Sequence, residues 1–247
     1  MTHVVGVIQA RMGSTRLPGK ILAPICNEFP LLSLLAKRVA NPEIQWWLAT
    51  SKNSSDDVTA AWGDELGLQV YRGSEEDVLS RFVEISEVTN CDWLVRVTAD
   101  DPFMEWQTIS KLIKSVGSIS ESVEIVCADR ANKQFPLGYV PEIFRASAIQ
   151  RIQNQIPSEL SYHRSNVTSY LAPEKTRFYS DASLPSRPNW RWTVDTKEDL
   201  EMVRATFFGL GANSHLASYL EIVEFLDKNP NIVNLNLGIQ QKAITEG

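Results

Sequence analysis

Five short apolar runs, at residues 4–8, 45–50, 68–71, 93–98 and 123–127, alternate with stretches of amphipathic helical pattern. That alternation limits the fold of this 247-residue chain more than any other property. Strands joined by helices of about ten or more residues form βαβ crossovers, and these build a mostly parallel sheet covered on both faces. Helices are expected over 30–39, 54–66, 75–88 and 108–116. Ser54 or Ser55 serves as an N-cap, Asp56 and Asp57 lie in a first turn, and Gly67 acts as a stop. From residue 133 the rhythm breaks, and Pro136, Pro141, Pro157, Pro173, Pro185 and Pro188 punctuate the chain. Residues 133–190 are expected to form a mixed insertion with helices near 145–156 and 160–171, covering the mouth of a site and offering a dimer contact. Residues 190–196 then return to the sheet, followed by helices over 197–208 and 217–227. One domain over 1–247 accounts for this order, since the chain holds no long linker or repeat.

A formal net charge of −6 argues against a general nucleic-acid binder. No run approaches 18 uninterrupted apolar residues, so no membrane span is expected. The first apolar run lacks a cationic leader and is interrupted by Arg11, which marks a strand and not a signal peptide. A cytoplasmic protein is expected. Cys26, Cys91 and Cys127 are widely spaced and odd in number, against a disulfide framework or a zinc site. His3, His163 and His215 show no ligand spacing, so a metal is expected to be oxygen-bound Mg²⁺.

The first run continues as Val4-Val-Gly-Val-Ile-Gln-Ala-Arg-Met-Gly-Ser-Thr-Arg-Leu-Pro-Gly-Lys20. A strand feeding a glycine-containing, cation-bearing loop suits a polyphosphate. Glycines let backbone N–H groups approach the phosphate, and Arg11, Arg16 and Lys20 neutralise its charge. Five residues separate Gly13 from Gly19 and Ile21 follows Lys20, which excludes a Walker A loop. No G-x-G-x-x-G occurs, which excludes the dinucleotide fingerprint. A basic surface turn after a strand is the plainer reading. The run from Ile8 to Lys20 resembles the opening loop of the cytidylyltransferases that activate acidic sugars as CMP-sugars. It is most similar to the SpsF-like branch of spore-coat polysaccharide biosynthesis, itself similar to CMP-KDO and CMP-sialic acid synthetases. The resemblance implies a Rossmann-like three-layer sandwich of the nucleotide-diphospho-sugar transferase type. It also implies that Gln9, Ala10, Arg11, Gly13, Ser14, Thr15, Arg16 and Lys20 contact the nucleotide, and that the protein is a homodimer.

Four further segments carry the resemblance. Arg72-Gly-Ser-Glu-Glu-Asp-Val-Leu-Ser-Arg81 is similar to a motif lining the base side of the pocket, implying contacts from Arg72, Gly73 and Ser74 with Arg81 as an anchor. Ser74 as a simple N-cap explains the acids but leaves both arginines unexplained. Leu94-Val-Arg-Val-Thr-Ala-Asp-Asp-Pro102 places Asp100 and Asp101 beyond the carboxyl end of a strand, where ligands of open α/β sheets bind. One of them could instead cap the turn before Pro102. The similar family motif, T-G-D-C-P, maps the metal-binding acid onto Asp100. Trp190-Arg-Trp-Thr-Val-Asp-Thr-Lys-Glu-Asp-Leu200 resembles a segment whose first acid faces metal and sugar, implying Asp195 beside Asp100. Capping by Thr196 with Asp199 can coexist with that role. Gln134-Phe-Pro-Leu-Gly-Tyr-Val-Pro-Glu-Ile-Phe144 resembles a sugar-facing motif, implying Gly138, Tyr139, Glu142 and, further on, Asn166. Leu137 and Val140 stand where that motif has aspartates, and Asn166 where it has histidine, so the sugar half departs from the pattern.

These features lead to transfer of CMP from CTP to an acidic or modified sugar, releasing pyrophosphate. Arg11, Lys20, Asp100 and Asp195 are the expected catalytic residues, and Asp100 and Asp195 the Mg²⁺ ligands. In-line displacement at phosphorus demands mainly positioning and charge stabilisation. A glycosyltransferase using a sugar nucleotide is the competing enzyme, although the chain has no D-x-D. A nucleotide-binding homologue without catalysis is the third reading.

Overall fold

The computed structural model describes residues 2–26 and 29–243. Its main sheet is built from β1 (Val4–Gln9), β4 (Gln45–Ser51), β5 (Gln69–Gly73), β6 (Trp93–Thr98), β7 (Ile125–Ala128), β8 (Glu142–Arg145) and β9 (Thr176–Tyr179). They lie in the order β5-β4-β1-β6-β8-β7-β9. β1 pairs in parallel with β4 and β6, β4 with β5, and β7 with β9. Only β8 is reversed, antiparallel to both β6 and β7. A small antiparallel hairpin of β2 (Pro24–Cys26) and β3 (Phe29–Pro30) follows the first loop. The fold is therefore the mostly parallel α/β sheet that the alternation implied, Rossmann-like as the resemblance implied, with its two-stranded addition at residues 24–26 and 29–30.

Period-2 geometry explains the layers, because successive strand residues face opposite sides of the sheet. Val4 and Ile8 of β1 and Val95 and Val97 of β6 pack with α1 (Leu31–Val39) and α4 (Trp106–Val116) on one face. Val5 and Val7 of β1 and Leu94 of β6 pack with α3 (Val78–Thr89) and α5 (Ala146–Gln153) on the other. A third apolar cluster joins Phe103, Phe135, Tyr139 and Trp192 to α7 (Lys197–Leu210) and α8 (Tyr219–Lys228).

Several boundaries differ from the sequence expectation. The segment at 54–66 opens as a 3₁₀ turn, Ser54–Asp56, and α2 is confined to Asp57–Glu65. Neither Ser54 nor Ser55 is its N-cap, because Asp56 holds that position and buries its carboxylate. α3 starts at Val78, where Asp77 caps by accepting from the Ser80 N–H at 3.1 Å. The helix expected at 160–171 shrinks to a 3₁₀ turn, Ser158–Leu160, and to α6, Tyr162–Ser165. Val167 explains the break: its φ of 52° is left-handed, a conformation a β-branched residue adopts only under constraint. Residues 190–196 do not rejoin the main sheet. They run extended, with one isolated parallel bridge between Leu137 and Arg191, because Trp192 and Val194 are drawn into the third cluster. Among the described residues no helix is long and apolar enough to cross a membrane. Cys91 and Cys127 are free thiols, and the side chain of Cys26 lies outside what is described.

Candidate active site

The order of strands reverses between β1 and β6, since β4 and β5 continue to one side of that pair and β8 to the other. A crevice forms at the carboxyl ends of strands at such a switch point. Residues 10–20 leave β1 there, and Asp100 and Asp101 leave β6. The two exits are joined at their base, with the Ala99 N–H donating to Gln9 O at 2.9 Å.

Gly19 turns the loop inward. Its φ of 71° is the left-handed conformation glycine adopts at little cost, and its N–H bonds back to Met12 O at 3.1 Å. The turn delivers Lys20 into the crevice at 8% exposure. Its ammonium donates to Asp100 Oδ2 at 2.5 Å, to Asp195 Oδ1 at 2.9 Å and to Val194 O at 2.7 Å. Two carboxylates 95 positions apart thus converge on one cation. The extended segment after Trp190 makes this possible: Trp192 N–H donates to Leu137 O at 2.8 Å, and Val194 N–H to Asp100 O at 2.7 Å.

Three cations surround Asp195. Besides Lys20, Arg16 reaches its Oδ2 at 2.8 Å and Arg191 at 2.5 Å. Burial alone would raise the Asp195 pKa, but Lys20, Arg16 and Arg191 outweigh it and hold the carboxyl below its ordinary range. Burial likewise opposes the charge on Lys20, yet Asp100 and Asp195 together hold its pKa above the usual value. Asp101 lies the other way: burial, then the neighbouring Asp100 charge, push its pKa well up. The Asp101 carboxyl is itself buried. Gly138 faces it closely. A Cβ there would stand 2.6 Å from Asp101 Oδ1, and the φ of 90° also favours glycine.

Arg11 is 3.8 Å from Glu75, which also accepts from the Asn53 side-chain amide. Gly13 sits against Glu75 as well, while the Ser14 hydroxyl accepts from the Leu17 N–H at 3.3 Å, and Thr15 is exposed. Arg72 donates to Ser51 O and Asn53 O at 2.9 and 2.8 Å and pairs with Asp57 at 2.7 Å, bracing the turn after β4. Gly73 packs on the Arg81 side chain, and Ser74 is gripped through its carbonyl by Arg81 at 2.6 Å. On the opposite side Glu142 Oε2 accepts from Arg96 at 2.8 Å and from Thr168 at 2.9 Å. Arg96 also donates to Gln9 Oε1 at 2.9 Å, so one guanidinium links β1, β6 and β8. Asn166 donates to Tyr162 O at 2.7 Å. Tyr139 does not line the crevice: it is fully buried, and its hydroxyl is taken up by Glu105 at 2.8 Å and Thr108 at 2.6 Å. It supports the wall behind Gly138.

Four residues that sequence reasoning passed over shape this crevice. Asp56 accepts from the Met12 N–H at 2.6 Å and from Ser51 and Thr59, anchoring the first loop from below. Arg96 could have been noticed as a cation inside an apolar strand. Arg191 stands four residues before Asp195 and links it to the buried Asp199 at 2.9 Å. Thr168 follows the left-handed turn at Val167, which brings its hydroxyl to Glu142.

A model of the cytidylyltransferase family matches residues 5–226. The chain belongs to the cytidylyltransferase family. This cytidylyltransferase-family protein is 31% identical to the spore coat polysaccharide biosynthesis protein SpsF of Bacillus subtilis, over 94% of this chain and 97% of that one. It is 29% identical to an uncharacterized protein of Methanocaldococcus jannaschii, over 98% of each chain. Its fold is similar to a cytidylyltransferase of Leptospira borgpetersenii, with a TM-score of 0.86, 26% identity and coverage of 98% and 100%. It also resembles a CMP:2-keto-3-deoxy-manno-octonic acid synthetase solved with CTP, with a TM-score of 0.59 at 20% identity over 83% of this chain and 98% of that one. That second likeness concerns the fold alone. Membership places the family protein in the class of cytidylyl transfer.

Proposed function

We propose that the protein transfers CMP from CTP to a hydroxyl of an acidic or modified sugar and releases pyrophosphate. The convergence of Asp100 and Asp195 on the Lys20 ammonium carries this reading. A sugar hydroxyl oxygen bonds to the α-phosphorus, the bond from that phosphorus to the bridging oxygen of the β-phosphate breaks, and the hydroxyl proton is released. Negative charge grows on the departing pyrophosphate. Lys20 and Arg16 offset it from the floor of the loop, and Arg11 from its rim. The loop around Gly13, Ser14 and Thr15 orients the phosphate chain, while Gln9 and Ala10 form its base. Arg72, Gly73 and Ser74 hold the wall on the base side. Glu142, Gly138 and Asn166 flank the acceptor side.

Among the described residues no group of three or more His, Cys, Asp or Glu side chains stands together as a metal cage. The pair Asp100 and Asp195 fits Mg²⁺ nonetheless, because that ion takes one or two carboxylates and completes its shell with water and phosphate oxygens. The Lys20 ammonium lying between these two carboxylates supports this reading, since the pair already faces one positive charge. Asp100 and Asp195 would hold the ion, which when bound supplies charge neutralisation at the α-phosphate.

The test follows both possible leaving groups. Pyrophosphate release that requires CTP, Mg²⁺ and an acidic sugar supports the reading. Release of a nucleoside diphosphate from a sugar nucleotide would make the protein a glycosyltransferase, and tight CTP binding without turnover across the sugar panel would make it non-catalytic.

A further inference from the structure

We propose that the segment after α9 (Pro230–Val233) is a strap over the phosphate loop, and that its Lys242 binds the β- and γ-phosphates of the nucleotide; this rests on the nucleotidyl-transfer reading above. The segment is pinned at its start. Asn236, 2% exposed, donates to Arg191 O at 3.0 Å and to Asp199 Oδ1 at 2.8 Å. Asp199 is the residue that holds Arg191 and, through its other oxygen, the Asp195 N–H at 2.9 Å. Five positions further on, Gln241 accepts from Arg191 Nη1 at 2.6 Å. The next residue crosses to the first loop, with Lys242 Nζ 3.4 Å from Thr15 Oγ1. The strap therefore touches both halves of the crevice, the guanidinium that orients Asp195 and the loop that follows β1. It lies beyond residue 226, where the family match ends.

The charge arrangement gives Lys242 its role. Lys20 is committed to Asp100 and Asp195, Arg16 to Asp195, and Arg11 faces Glu75. A nucleoside triphosphate brings several negative charges to this loop, more than these partly neutralised cations offset. Lys242 differs from them. Its partner is a neutral hydroxyl, and among the described residues no carboxylate lies within ion-pair distance of its ammonium. The β- and γ-phosphates complete that pairing and draw the strap down on the loop.

Calorimetric titration of the full chain with CTP and with CMP, in Mg²⁺, tests the assignment. Lys242→Ala should weaken CTP binding about three- to tenfold, the scale of one hydrogen bond, while leaving CMP binding unchanged. Lys242→Arg should retain CTP affinity, and neither change should shift the melting temperature, because the side chain is exposed. A loss shared equally between CTP and CMP, or CTP binding as tight as in the parent, would overturn the role of Lys242. A parent protein that binds no CTP would defeat the transfer reading itself, so the two failures are distinguishable.

Discussion

Lys20 illustrates how one side chain ties local conformation to chemistry. Burial disfavours its charge, and two carboxylates restore it. Lys20→Ala should lower CTP-dependent pyrophosphate release by roughly 10²–10³, the cost of losing an anion-stabilising donor. It should also destabilise the fold by about 3–5 kcal/mol, since Asp100 would lose its ammonium partner beside an Asp195 still held by Arg16 and Arg191. Added Mg²⁺ should raise the melting temperature of that variant more than that of the parent, and equal shifts would contradict a shared cation site. Asp195 contributes to the pH dependence. Its pKa is lower folded than unfolded, so its stabilisation is complete above the ordinary carboxylate value near 3.8 and is lost as pH falls through the depressed folded value. Asp195→Asn should flatten the acid limb of a stability curve measured below about pH 4. An acid limb as steep as the parent's would assign that loss to other carboxylates.

At the scale of elements, the N-terminus of α7 combines capping with site construction. Thr196 accepts from the Asp199 N–H at 3.3 Å, and Asp199 returns a bond to the Thr196 N–H at 3.0 Å. The pattern was readable in the sequence as a capping box. Its second use, gripping Arg191 and the Asp195 N–H, was not, because that depends on an extended segment meeting a helix start. Thr196→Ala should cost about 1 kcal/mol in chemical denaturation, the usual worth of a cap. Asp199→Ala should cost about 3–5 kcal/mol, because it leaves the Arg191 guanidinium buried beside a missing partner. Similar costs for the two would reduce Asp199 to a cap. The same contrast runs through the chain. Strands β1, β4 and β6 and their helices were legible because apolar period and length are local properties. Short β8, the broken helix after Tyr162 and the bridge at Arg191 were not, because pairing partners and a strained Val167 decide them. The site followed suit: the loop cations and Asp100 were visible as motifs, whereas Asp56, Arg96 and Arg191 acquire meaning only from what they touch.

At the scale of the whole molecule, the reversed strand β8 governs the order in which the sheet can be completed. β7 emerges from the chain before β8, yet it reaches the centre of the sheet only through β8. Until residue 145 arrives, the outer edge of β6 stays unpaired and β7 has no place to dock. Such non-local closure is slow and leaves a hydrogen-bonding edge open to other chains. Truncating Phe144, fully buried on β8, should therefore speed unfolding far more than it slows folding. Truncating Val95 on β6 should mainly slow folding. Chevron plots of the two variants compare these limbs directly, and a slowed folding limb for Phe144→Ala would place β8 in the nucleus. A ribosome making this protein thus releases residues 10–20 and Asp100 well before β8 and the later segment carrying Asp195 can close beside them, so the crevice is completed by the last parts of the chain to emerge.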